Sequence, residues 1–428
     1  MGQESSPYSF RTALGGWLIA ATALVYLLSL MTGRGGIVSA ILAWTAVYVC
    51  WPGMARSAQG QALTLLLSGL ALICWAALAG TSAPWQSALT RNLPLLTMFV
   101  AVSFLSLTNP TDTETGLQRG RKGILTTMLT CHLLGSVINL SIVFVVADRL
   151  SRATRLTEAQ VQTIMRSFCA AAFWSPFFVA IGVALTYAPG ARWLKSMAPG
   201  LLLTLPVFAI TYRDAVRNAK DDFHGYPLSR ESLIMPICLA VAVLIGHGLA
   251  PQLSILTLIS LLAPLGAWLF MKEPPRLHKT QVFIQQRLAN IASQFALFLT
   301  AGIFSAGIAA LIASYPDYLT LHFTRFSPLL FMALSAAMIF VALLGVHPLV
   351  SIALLSPFLT PLGADPNQLA FMFLFVWGVS TASSPLSGVG LAMVGRYQVR
   401  SRDIVRLNWH YLVMMWGLAG LINAVWFG

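Results

Sequence analysis

The sequence predicts an all-α polytopic membrane protein built from inverted repeats, with two re-entrant hairpins and discontinuous helices. Three observations carry that reading. Only 9% of the 428 residues are charged and 57% are hydrophobic, whereas a soluble domain is roughly one quarter charged. The pattern Leu-Leu-Gly-x5-Ser-Ile occurs twice, from Leu133 to Ile142 and from Leu343 to Ile352. Each copy is followed about 40 residues later by a Ser-Pro step, Ser175-Pro176 and Ser384-Pro385. Paired interruptions of this kind mark the midplane sites of duplicated membrane units.

A span needs about 20 mostly apolar residues. That rule places helices near 13–32, 35–53, 61–80, 92–108, 197–213, 232–249, 253–271 and 404–426. The first apolar run, Ala13 to Met31, follows one Arg and precedes no small-residue cleavage site, so it reads as a retained span. The stretches 122–148, 159–188, 288–313, 327–362 and 366–395 are longer or less regular.

Charge parity sets their directions. Basic residues cluster as Arg119, Arg121 and Lys122; Arg149, Arg152 and Arg155; Arg213, Arg217 and Lys220; Lys272, Arg276 and Lys279; and Arg396, Arg400, Arg402 and Arg406. This is the positive-inside signature of a bacterial inner membrane protein, so the net charge of +13 speaks for a lipid bilayer and against nucleic acid. With the N-terminus cytoplasmic, segment 122–148 lies between two basic loops and enters and leaves on that face. The loop 363–367 has no Lys or Arg, so 327–362 enters and leaves from outside, and the C-terminus is periplasmic. The expected organisation is scaffold helices over 1–91, then a first repeat over 92–213 with hairpin 122–148 and broken helix 159–188. A cytoplasmic linker over 214–231 and scaffold helices over 232–287 precede a second repeat over 288–428. That repeat holds hairpin 327–362 and broken helix 366–395.

The polar residues at the interruptions are the candidate site. Asn and Ser in hydrocarbon must face protein or a water-lined cavity, which selects Ser136, Asn139 and Ser141 in the first hairpin. The second copy offers His347, a titratable group beside the helix-breaking Pro348, and Ser351. The Ser-Pro steps contribute Ser175 in one copy and Thr381, Ser383, Ser384 and Ser387 in the other. His132 is a weaker candidate, and His247 and His410 read as ordinary helix or interface residues. Arg166 is expected to snorkel to the cytoplasmic surface. The acidic residues Glu4, Asp112, Glu114, Glu158, Asp214, Asp221, Asp222, Glu231, Glu273, Asp317, Asp365 and Asp403 fall in loops or at helix ends, and Asp148 ends its hairpin. An anion would therefore meet no repelling charge at the breaks, and a sodium site would be built from hydroxyls, Asn139 and carbonyls. The five Cys lie in apolar stretches without paired spacing, a pattern that suggests neither disulfides nor a metal site.

The segments LLGSVINLSIVFVVA, LLGVHPLVSIALLSP, WSPFFVAIGVAL and SSPLSGVGLAMV resemble the four breaks of the ion transporter superfamily. That group includes arsenite permeases, citrate–metal symporters and divalent anion:sodium symporters. The resemblance runs from about residue 90 to 426. It implies that the breaks form the substrate and sodium sites, and that a hairpin-bearing domain moves against a scaffold, elevator-like, in a homodimer. The chain departs from that pattern: neither Ser-Asn-Thr signature is intact, His347-Pro348 standing in place of the second, and the later breaks lack the Gly-Asp/Pro-Asn elements.

The sequence thus predicts a secondary active transporter of a small anion or organic acid, with Na+ or H+ as coupling ion, no cofactor and no enzymatic activity. Two alternatives stay open: an exporter of a neutral or toxic small molecule, and the membrane subunit of a binding-protein-dependent tripartite carrier.

Overall fold

The computed structural model describes residues 10–82, 84–108, 116–152, 154–219, 222–228, 230–271, 274–319 and 326–428. Lys220 and Lys272 of the basic clusters lie outside the described residues, as do Glu4, Asp112, Glu114, Asp221 and Glu273 and part of the expected linker.

The chain is an all-α polytopic membrane protein. Its helices are α1 (Phe10–Thr32), α2 (Gly36–Cys50), α3 (Arg56–Leu78), α4 (Trp85–Thr90), α5 (Leu93–Ser103), α6 (Gly120–Ile138), α7 (Ser141–Leu150), α8 (Glu158–Cys169), α9 (Val179–Tyr187) and α10 (Trp193–Ala219). They continue as α11 (Arg230–Leu249), α12 (Ile255–Phe270), α13 (Arg276–Gln286), α14 (Ala292–Ser314), α15 (Pro316–Leu319), α16 (Pro328–Leu343), α17 (Pro348–Leu359), α18 (Pro366–Ser383), α19 (Gly388–Tyr397) and α20 (Ser401–Phe427). A two-residue antiparallel clip pairs β1 (Gln118–Arg119) with β2 (His224–Gly225). Helices dominate because hydrocarbon offers no water to backbone N–H and C=O groups, which must bond within their own segment. Among the described residues eight segments are long and apolar enough to cross a membrane. The outer helices keep large apolar side chains exposed, Leu24, Ile41, Leu67, Leu205 and Leu421 among them, as lipid-facing surfaces require.

The chain divides into two compact units. The first comprises residues 1–108, 243–321 and 353–358. At its centre α14 packs on α3 through glycines: a Cβ on Gly69 would lie 2.7 Å from Phe304 Cα, and one on Gly307 2.6 Å from Gly69 O. Small residues allow this approach, which replaces the hydrophobic drive that lipid cannot provide. Asn92 caps no helix with its side chain; its Nδ2 donates to Phe298 O of α14. Thus α5 and α14, placed in the two repeats by sequence order, pack together with the expected scaffold helices. Segment 288–313 is also more regular than expected. After a short 3-10 turn it is the single helix α14.

The second unit comprises residues 109–242, 322–352 and 359–428, and every candidate site residue falls in it. Its centre is α18, buried along nearly its whole length. Gly378 of α18 and Gly200 of α10 both abut Phe173, where an added Cβ would fall 2.3 Å from Phe173 Cε1 and 1.9 Å from Phe173 O respectively. The expected linker begins late, since α10 continues as helix to Ala219. Arg166 does not snorkel. It is fully buried, donating from Nε to Asn408 Oδ1 at 2.7 Å, from one guanidinium nitrogen to Asp214 Oδ2 at 2.8 Å and from the other to Leu407 O at 2.7 Å. The Tyr411 ring faces its guanidinium at 4.7 Å. A buried guanidinium persists only when paired and hydrogen-bonded, and α10 and α20 supply the partners.

Candidate functional site

Four helix interruptions organise the second unit. In the first copy α6 ends at Ile138, and Asn139 takes φ 57° and ψ −145°. For a residue with a Cβ this is a costly conformation, held only where surroundings over-determine it. The surroundings here are the second interruption, where α8 runs through a 3-10 turn into Trp174-Ser175-Pro176 before α9 begins. Asn139 Nδ2 donates to Phe177 O at 3.2 Å, and Ser175 Oγ donates to Ser136 O. Ser175 Oγ also accepts from Phe177 N at 3.2 Å. The two breaks are therefore stitched to each other in both directions. Gly135 makes the approach possible: a Cβ there would meet the Phe168 ring at 2.7 Å. Ser136 Oγ turns back to Leu133 O at 2.8 Å, while Ser141 is half-buried at the first position of α7. No side chain caps α7 or α9; backbone carbonyls take early N–H groups instead, Ile142 N donating to Asn139 O at 3.2 Å, Val143 N to Leu140 O at 3.1 Å and Ile181 N to Phe178 O at 3.0 Å.

The second copy is built differently. Gly345 takes φ +99°, a left-handed conformation glycine adopts freely, and a Cβ there would strike Leu386 Cδ1 at 2.6 Å. Ser384 Oγ donates to Ala342 O and accepts from Leu386 N, both at 3.2 Å. This repeats the bonding of Ser175, so each Ser-Pro serine holds a carbonyl of the preceding hairpin. The helix starts are capped. His347 Nδ1 accepts from Leu349 N at 3.2 Å at the start of α17, and Ser387 Oγ accepts from Gly390 N at 3.0 Å at the start of α19. The Ser387 hydroxyl faces Thr381 O and Ser384 O, each at 2.8 Å. The His347 ring meets Trp377 edge-on at 4.9 Å. Ser383 Oγ is buried without a hydrogen-bond partner among the described residues. Thr381 is half-buried and Ser351 buried; neither side chain ties one break to the other.

Of the ten sequence candidates, then, Ser175 bonds Ser136 directly, with Asn139 reaching Phe177 two residues on, and Ser387 bonds Thr381 and Ser384. Ser141, Ser351 and Ser383 stand beside these groups, and His347 caps one of them. No ionised residue occupies the four interruptions, and no cluster of His, Cys, Asp and Glu fit to hold a metal occurs among the described residues. His132, ranked low from sequence, is central: its Nε2 accepts from Trp174 Nε1 at 3.1 Å and its Nδ1 bonds Ser167 O at 3.0 Å. The available signal was the Trp immediately before the Ser-Pro step, a large donor whose indole N–H needs a partner when buried.

No family model and no curated protein matches the chain. Among solved structures, the crystal structure of the Alcanivorax borkumensis YdaH transporter is similar, with a TM-score of 0.57 at 13% sequence identity. The match covers 86% of this chain and 98% of that one. At this identity the likeness concerns the fold.

Proposed function

We propose that this chain is a secondary active transporter of the ion transporter superfamily type. In this reading it carries a small anion or organic acid across the inner membrane by alternating access. The observation that carries the reading is the reciprocal stitch between Asn139 and Phe177 and between Ser175 and Ser136. It brings together two interrupted helices whose following segments, α7 and α9, start without a side-chain cap. The positive ends of the α7 and α9 dipoles, which carry no side-chain cap, favour an anion, and no carboxylate stands at the breaks to oppose it. Similarity to a transporter's fold supports the same reading.

The chain would work as a homodimer with the two copies inverted in the bilayer. The hairpins 122–148 and 327–362 would move elevator-like, coupled to Na+ or H+. Ser136, Asn139, Ser141, Ser175, His347, Ser351, Thr381, Ser383, Ser384 and Ser387 would bind substrate or coupling ion.

The test is uptake into proteoliposomes over a panel of carboxylates, sulfonates and oxyanions, with sodium and proton gradients imposed separately. Saturable uptake of one anion class is expected. Asn139→Ala should lower it by at least about tenfold, on the scale of a lost charge-assisted hydrogen bond and a strained backbone. Unchanged uptake in both Asn139→Ala and Ser384→Ala would remove the site assignment.

A further inference from the structure

The bonding of His132 fixes its protonation state without reference to any titration. Indole Nε1–H of Trp174 is a donor only, so the His132 Nε2 it meets at 3.1 Å is an unprotonated acceptor. The ring hydrogen is on Nδ1, which donates to the carbonyl of Ser167 at 3.0 Å. The ring is 5% exposed and its edge contacts Phe208 of α10 at 5.0 Å. Both ring nitrogens are thus engaged by groups that tolerate one state alone, neutral with hydrogen on Nδ1. A second proton can be added only at Nε2, where it would face the Trp174 N–H donor to donor.

The partner lost in that event is not remote from the breaks. Trp174 precedes Ser175, whose hydroxyl holds Ser136 O, and Trp174 O itself accepts from Trp193 Nε1 at 3.4 Å. Ser167 Oγ on α8 and Thr211 Oγ1 on α10 are buried hydroxyls without a hydrogen-bond partner among the described residues. Buried polar groups left by the protein are satisfied by water where room exists. Along α10, Phe208, Thr211 and Asp214 follow one another by three residues, about 4.5 Å of rise each, and Asp214 keeps 29% of its side chain exposed.

We propose that His132 is a proton-binding site of the first copy, reached past Asp214, Thr211 and Ser167, and that its protonation releases Trp174 and loosens the stitch between the two breaks. In the step a hydronium ion gives its proton to the Nε2 lone pair. An N–H bond forms, the Trp174 hydrogen bond is lost, and the Nδ1 bond to Ser167 O is kept. Other ionisable groups on the elements packed against α6 leave this event unopposed by a free charge. Arg166 of α8 is paired with Asp214 of α10, Asp148 of α7 with Arg396, and Glu158 of α8 with Arg406. Arg213 of α10 is exposed, and His224 lies exposed on β2. Cys169 of α8 and Tyr212 of α10 carry no charge as thiol and phenol.

The consequence for coupling rests on the transport reading, but proton binding can be read without transport. Tryptophan fluorescence of the full-length protein in lipid nanodiscs is titrated with pH in wild type and Trp174→Phe, and the difference isolates Trp174. A single-proton transition is expected, and it should vanish when the same difference is taken in the His132→Gln background. Gln can still accept from Trp174 and donate to Ser167 O. A transition that persists there, or none in wild type, overturns the proposal. After a pH jump, Thr211→Val should slow the signal at least about tenfold while leaving its amplitude, as expected when a buried hydroxyl relay is cut; an unchanged rate overturns the route. In proteoliposomes His132→Gln should lose at least about fivefold of the stimulation by a pH gradient, within the usual span of a general acid–base group. Equal stimulation overturns the coupling. If wild type carries no anion at all, the transport reading fails and the fluorescence difference still decides whether His132 binds a proton.

Discussion

The two copies share a frame but not its chemistry. Three residues before the hairpin glycine stands His132 in one copy and Ala342 in the other. One and four residues after it stand Ser136 and Asn139 against Val346 and Leu349. Nine residues before the Ser-Pro serine stands Arg166 against Phe375. The first copy is braced by polar bonds: Arg166 to Asp214 and Asn408, His132 to Trp174, Asn139 to Phe177. The second is braced by packing, with Phe375 fully buried 6.4 Å from the Phe173 ring and Gly345 pressed on Leu386. Common to both are the bonds of the Ser-Pro serine, which donates to a hairpin carbonyl and accepts from the N–H two residues on. The two segments thus share the break and differ in how it is braced. The copy with polar bracing leaves its helix starts to backbone carbonyls, and the other caps them with the side chains of His347 and Ser387.

The largest expected effect tests the two anchors. Arg166→Ala strands Asp214 and Asn408 and should destabilise the protein by about 3–5 kcal/mol, as removal of one partner of a buried pair does. The combined replacement Arg166→Met, Asp214→Leu and Asn408→Leu, which removes the charge together with its partners and keeps the volume apolar, should cost about 1 kcal/mol or less. Thermal unfolding in detergent distinguishes them, and an equal loss in both variants would mean that packing alone does not explain the site. The common bond comes next. Ser175→Ala leaves Ser136 O and Phe177 N without that hydroxyl in a buried place and should cost about 1–3 kcal/mol. Ser384→Ala, with longer bonds, should cost about 0.5–1.5 kcal/mol. A larger loss at Ser384 would reverse the ranking of the copies. Gly345→Ala forces a Cβ into a left-handed conformation against Leu386 and should cost about 1–2 kcal/mol, and a melting temperature equal to wild type would contradict the packing account of the second copy.

Much of this was legible in the sequence. Low charge and long apolar runs gave the all-α membrane fold, because composition alone decides whether a backbone can afford water. The breaks were legible because Asn139, Pro176, Pro348 and Pro385 each interrupt a helix by local chemistry. Bracing was not, since it depends on partners far along the chain. Arg166 read as a snorkelling side chain because Asn408 and Tyr411, on α20, are invisible to a local pattern. Segment 288–313 read as less regular, yet it carries its polar residues within one helix. Thr300 Oγ1 satisfies itself on Ala296 O of its own helix at 2.8 Å, and such back-bonding needs no break. Nor could sequence order assign α5 and α14 to the first unit, since glycine contacts and the Asn92 bond decide it.

In the proposed transport reading the breaks of the first copy would take the anion, and the second copy's residues would serve the coupling ion. This assignment is tested most directly by placing single cysteines at the aligned helix starts, Ser141→Cys and Ser351→Cys, in a background with the native cysteines replaced. Maleimide labelling is then timed with and without the anion that gives saturable uptake. The account predicts that the anion slows labelling at position 141 at least about fivefold, as direct occlusion by a ligand at a helix N-terminus would, and leaves position 351 unaffected. Protection at 351 alone, or at neither position, would contradict it.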